Sequence, residues 1–121
     1  MRPDFEGGDA GFEADTIAAL ATARGTAALA VIRVSGPRAL EAVDSRFGPS
    51  VLEAEERTVR VGWLRDERGD RVDQVVCVVW RGPHSSTGED VVEVTCHGGD
   101  AVSGAVLRVL FQAGARPARA G

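Results

Sequence analysis

The chain alternates short apolar runs with polar, Gly- and Pro-rich breaks, and the spacing inside each run predicts its element. Residues 15–22, D-T-I-A-A-L-A-T, read as a first strand, 23–26 as a turn, and 27–34, A-A-L-A-V-I-R-V, as a second strand rich in β-branched residues. Ser35-Gly36-Pro37 then opens a helix, because the fixed φ of proline suits a first helical position. Leu40, Val43 and Phe47 follow at helical spacing, and Gly48-Pro49 is a stop signal of the glycine-then-proline kind. Residues 57–65 alternate, with Val59, Val61 and Trp63 on one side and Thr58, Arg60 and Leu64 on the other, which predicts a half-buried strand. After the polar turn 66–70, residues 72–80 return as its hairpin partner, and their V-V-C-V-V-W run reads as buried on both faces. A loop over 82–88 leads to a strand over 91–96. Asp100 reads as the N-cap of a second helix with the apolar stripe Val102, Val106, Val109 and Leu110, ending at Gly114. Strands and helices do not alternate as βαβα, so the expectation is an α+β fold: a mostly antiparallel sheet with two helices.

Composition narrows this. A chain of 121 residues makes one domain, able to bury about two-thirds of its unfolded surface. Residues 1–14 are acidic and Gly-rich and read as a disordered tail, leaving the domain at 15–121. That tail has neither the basic nor the apolar region of a secretory signal. No run approaches the ~20 apolar residues of a membrane span. The cysteines, Cys77 and Cys96, lie in apolar runs and form no C-x-x-C pair. With His84 and His97 as the only histidines, no zinc site is expected. The thiols read as small buried hydrophobes of a reduced, cytosolic compartment.

Charge removes further classes. The net charge of −4 argues against direct grip on a phosphate backbone. All 14 cationic side chains are arginine. Without lysine, this chain holds neither a Walker A phosphate loop nor a Schiff-base nucleophile.

Candidate chemistry gathers on the strand over 91–96. Val91, Glu93, Thr95 and His97 point one way and Val92, Val94 and Cys96 the other. Glu93 and His97 share a face, yet four residues of strand span about 13 Å, whereas an acid/base pair needs about 3 Å. A catalytic dyad is therefore not expected, and no catalytic residue is assigned. Glu93 alone suits recognition of a ring with adjacent N–H donors, since an ionised carboxylate accepts two hydrogen bonds; the competing reading is a solvated glutamate. Arg33 is a charge in an apolar strand. It must reach solvent, bind a ligand anion, or pair with a carboxylate such as Glu93 or Asp90. Gly98 and Gly99 read as a tight strand-to-helix turn, with Asp100 opposing an anion there. His84 reads as an exposed loop residue. Glu41, Asp44 and the cluster Glu53-Glu55-Glu56 read as solvated.

The ordered motifs resemble one family. Asp15-Thr16-Ile17, Ala21-Thr22, Arg33-Val34-Ser35-Gly36, Thr87-Gly88-Glu89-Asp90 with Glu93, His97-Gly98-Gly99 and the G-A-R-x-A-R-x-G segment from Gly114 to Gly121 match the N-terminal domain of the MnmE/TrmE family of tRNA-modification GTPases. The resemblance implies a fold similar to the tetrahydrofolate-binding domain of the glycine-cleavage T-protein. It also implies a homodimer with formyl- or methylene-tetrahydrofolate near its interface, contacted by Arg33 and Glu93. Family members continue past this segment into a helical domain and an inserted G domain that binds GTP, Mg and K. They work with a flavoprotein of the MnmG/GidA type to modify the wobble uridine of tRNA in the cytoplasm, so tRNA is an indirect partner of this domain. Two positions depart from the family pattern. The usual P-P-G-x-G turn is Ala23-Arg24-Gly25-Thr26-Ala27, and the usual aromatic before T-G-E-D is Ser86. A further folate motif of the family lies beyond Gly121, so a purely structural dimerisation domain is the alternative. An aminomethyltransferase ranks lower, because no general base lies within reach of Glu93.

Overall fold

A computed structural model describes residues 16–21, 28–83 and 88–118. The tail over 1–14, the turn over 23–26, His84, Ser86, Thr87 and the last residues of the G-A-R segment lie outside them. The described residues form strands β1 (Ile17–Leu20), β2 (Leu29–Ser35), β3 (Phe47–Gly48), β4 (Val59–Arg65), β5 (Arg71–Trp80), β6 (Val91–His97) and β7 (Arg116–Pro117), with helices α1 (Ala39–Asp44) and α2 (Asp100–Gln112). All the strands join one sheet in the order β3-β4-β5-β6-β2-β1-β7. Every neighbouring pair is antiparallel except β1 with β7. This is the expected α+β architecture.

Pleating divides the sheet into a covered and an open face. Ala30, Ile32 and Val34 of β2, Val92, Val94 and Cys96 of β6, and Val75, Cys77 and Val79 of β5 are all buried. They meet Leu40 and Val43 of α1 and Val106, Val109 and Leu110 of α2 in one core. Of the stripe predicted for the second helix, Val106, Val109 and Leu110 are buried and Val102 packs half-buried against the core, beside buried Ser103. The two cysteines fall within this core, as expected for small hydrophobes; Cys77 is fully buried, and desolvation pushes its thiol up to about 12 from an ordinary 9.0. The raised pKa keeps the native thiol protonated at pH 8. It also means that stability tied to this group is whole below pH 9 and is lost as pH climbs toward the folded value. A thiol-exchange reagent at pH 8 is expected to leave Cys77 of the native chain unlabelled and to label it at once in denaturant. Rapid native labelling of Cys77 would contradict its burial.

Several sequence expectations change. The first helix begins at Ala39, two residues after Pro37, and ends at Asp44; Phe47, expected on its stripe, instead pairs with Leu64 as part of β3. Phe47 still reaches the core, 6% exposed, but from a strand. In the second helix the N-cap is Gly99, with Asp100 as the first helical residue. Gly99 has φ 97°, a conformation that glycine adopts without the Cβ penalty aspartate would meet. Ser103 anchors this turn by donating from its backbone N–H and its Oγ to the Gly99 carbonyl. β5 is buried on one face only, because Val76, Val78 and Trp80 lie half-exposed on the other. Asp44 is no solvated surface carboxylate: its Oδ1 accepts from Ser50 Oγ at 2.7 Å and from the Val51 N–H at 2.8 Å, tying α1 to the next turn.

Both edge strands are two residues long, and each edge carries a proline: Pro49 directly after β3 and Pro117 within β7.

Candidate functional site

The open face of the sheet carries the residues that the sequence singled out. Register sets them in rows. Ala19, Arg33, Glu93, Val78 and Val59 lie side by side across β1, β2, β6, β5 and β4. The adjacent row runs Val31, Thr95, Val76, Val61. Arg33 and Glu93 are thus cross-strand partners, held by the alternation that buries Ile32 and Val34 behind Arg33 and Val92 and Val94 behind Glu93.

Arg33 donates from Nη2 at 2.8 Å and from Nε at 3.2 Å, both to Oε2 of Glu93. The odd charge of the second strand therefore pairs with Glu93, one of the two carboxylates considered for it, on the solvent side of the sheet. Asp90 serves elsewhere. Its Oδ1 accepts the Gly82 N–H at 3.0 Å and its carbonyl accepts the Gly36 N–H at 3.0 Å, so it ties the loop before β6 to the end of β2. Side-chain exposures of 44% for Arg33 and 30% for Glu93 mean the ion pair adds under about 1 kcal/mol to stability. Both Arg33 donors fall on Oε2, and Oε1 of Glu93 has no partner among the described residues. The pair fixes the carboxylate in place through Oε2 alone.

Around this pair the open face is apolar. Val59 is 60%, Leu29 57% and Val61 54% exposed, with half-exposed Val31, Val76 and Val78 between them. Trp63 lies beyond Val61 on β4, with the Arg71 guanidinium 4.6 Å over its ring centroid.

His97 sits at the far end of β6 from Glu93, paired with Leu29 of β2. The two do not form a dyad; the histidine's partner is Asp73, with Nδ1 at 2.8 Å from Oδ1, while the His97 backbone N–H donates to Oδ2 at 2.9 Å. Sequence reasoning passed over Asp73. Its signal is weaker than that of Arg33, a charge near the start of a strand whose Arg71 and Gln74 are polar as well. The negative charge of Asp73 adds to burial, the larger cause, in raising the Cys96 thiol above its ordinary value. Among the described residues no three His, Cys, Asp or Glu side chains gather as a metal site would, and no helix is long and apolar enough to cross a membrane.

Known proteins give these features a family. The family model described as "GTP-binding protein TrmE N-terminus" matches residues 16–121. The chain is 54% identical over 110 residues to the tRNA modification GTPase MnmE of Salinibacter ruber, covering 90% of this chain and 24% of the relative. It is 48% identical over 109 residues to that of Halorhodospira halophila, covering 90% and 23%. It is 43% identical over 111 residues to that of Symbiobacterium thermophilum, covering 88% and 24%. The chain thus spans about a quarter of the length of these curated relatives. With Arg33 and Glu93 paired across the open sheet face and the match running through all the described residues, the chain belongs to the TrmE N-terminal domain family.

Proposed function

We propose that this domain binds a tetrahydrofolate derivative on its open sheet face and pairs there with a second copy of itself, as the N-terminal part of a tRNA-modification GTPase. The observation that carries the reading is the Arg33–Glu93 pair: an oriented carboxylate whose Oε1 has no partner among the described residues, set in exposed apolar surface. A pterin ring presents adjacent N–H donors and a flat hydrophobic body, and this surface complements both. A fold similar to the tetrahydrofolate-binding domain of the glycine-cleavage T-protein is part of the same proposal. Bound folate would supply a one-carbon unit; Glu93 would hold its ring, and Arg33 would hold Glu93.

A second copy accounts for the rest of the open face. Leu29, Val59 and Val61 are each more than half exposed, and adjacent exposed apolar residues of this kind mark interaction surfaces. In this reading the whole protein carries the GTP, Mg and K chemistry in its G domain, works in the cytoplasm beside an MnmG/GidA-type flavoprotein, and reaches tRNA through that assembly. No lysine in this chain can serve a Walker A loop.

The test is calorimetric titration of the chain with 5-formyltetrahydrofolate, with sedimentation velocity run on the same samples. Glu93→Ala is expected to weaken binding by about 1–3 kcal/mol, the cost of leaving ring donors without an acceptor. Unchanged affinity in that variant would refute the assigned role. A folded dimer that binds no folate would favour a purely structural dimerisation domain.

A further inference from the structure

His97 is built as a presented group. Asp73 holds it at two points, by the backbone N–H and by ring Nδ1. The anchor is sheltered and the ring is offered, with side-chain exposures of 12% for Asp73 and 65% for His97. With Nδ1 committed to the carboxylate, Nε2 is the ring nitrogen left for a ligand. His97 is one of the residues lining a cleft of about 240 Å³, with Leu29, Val61, Gln74, Val76 and Thr95 among the others. Those residues carry no charge, and among the described residues Asp73 is the charged group hydrogen-bonded to the ring.

Position gives this pair a purpose. Along β6, His97 lies four residues from Glu93, about 13 Å of strand. Between them runs the row of Val31, Thr95, Val76 and Val61. The face therefore has two polar stations joined by a strip that is apolar except for Thr95. Such a surface matches an elongated ligand with a donor-bearing ring at one end, a flat apolar middle and an anion at the other. A folate has this form, with its pterin, its aminobenzoyl group and its glutamate carboxylates. We infer that His97, held in place by Asp73, binds the carboxylate end of the ligand whose ring is read at Glu93. The inference rests on the folate reading above. Nε2 donates to that carboxylate when both ring nitrogens carry hydrogen, while Nδ1 stays on Asp73. Asp73 acts through His97 and is a positioning residue.

The experiment compares two ligands on the same chain: 5-formyltetrahydrofolate, and a tetrahydropterin without the aminobenzoylglutamate. The wild-type chain is expected to bind the folate more tightly. His97→Gln and Asp73→Asn are each expected to weaken folate binding about tenfold or more, as for loss of a charge-assisted hydrogen bond, and to leave pterin affinity unchanged. The ratio of the two affinities is the decisive readout, since a merely structural defect moves both together. Glu93→Ala is expected to weaken both ligands and preserve the ratio. Folate binding with a ratio unmoved by His97→Gln overturns the assignment of His97 and leaves the folate reading standing. Equal loss of both ligands in His97→Gln overturns it too. A folded wild-type chain that binds neither ligand overturns both readings.

Discussion

Gly62→Ala is expected to destabilise the domain by about 3 kcal/mol, the upper end of the usual cost of forcing an extra group into packed structure. A Cβ built on Gly62 lies 1.8 Å from the Gly48 carbonyl oxygen, 2.8 Å from its carbon and 2.9 Å from Cδ of Pro49. None of these atoms ends a flexible side chain, so a rotamer change relieves nothing. The crossing segment must lift away from β4. Lifting it breaks the pairing of Phe47 with Leu64 and of Gly48 with Trp63, and it draws Phe47 out of the core it fills. The neighbouring Gly48→Ala is the control, because a Cβ there meets nothing within 4 Å; its effect is expected to stay within about 0.5 kcal/mol. Urea denaturation of the two variants beside the parent decides it. Matching midpoints for Gly62→Ala and Gly48→Ala would show that the segment is not pinned against β4.

Ile32→Ala is expected to cost about 2–5 kcal/mol. Ile32 is fully buried and lies between Leu20 of β1 and Val94 of β6 in register. Truncating it opens a cavity where β2 is flanked on both sides by strands and covered by the helices, so neighbours can close in only partly. Set against a typical stability of about 5–15 kcal/mol, that loss is a large share of the whole. Thermal and urea unfolding followed by circular dichroism should show a clear drop in both midpoints. A change smaller than about 1 kcal/mol would mean that the covered face is not packed to interior density.

The sequence made the longer elements legible because their apolar periods are strong. β2, β4, β5, β6 and α2 fall where alternation or helical spacing placed them. The first helix was misjudged at its end because Phe47 satisfies two patterns: it continues the spacing of Leu40 and Val43, and it also opposes Leu64 across β4. Only the tertiary pairing chooses between them. The face of β4 was legible as alternating but not as inside or outside. Its apolar side, Val59 and Val61, lies open, while its covered side holds Arg60, Gly62 and Leu64. Gly62 is needed there for close passage of the Gly48 segment, a requirement that no hydrophobic pattern carries.

The site divides in the same way. Arg33 stood out as a charge in an apolar run, and strand geometry ruled out a Glu93–His97 pair from spacing alone. That Arg33 meets Glu93 depends on which strands are neighbours and in what register, and one strand read alone says nothing of this. Asp73 needed the same step, because its partner lies on the next strand of the sheet but 24 residues away in sequence.

The prolines at the two edges have a consequence for self-association. Proline has no N–H to offer an incoming strand, and two-residue edges give a stranger little to pair with. Strand pairing onto the two edge strands themselves is thereby disfavoured. What remains for association is the flat apolar face, and a contact made by the same face on two copies closes on itself. The architecture thus permits a finite pair and resists the fibre, although its exposed valines would otherwise invite one.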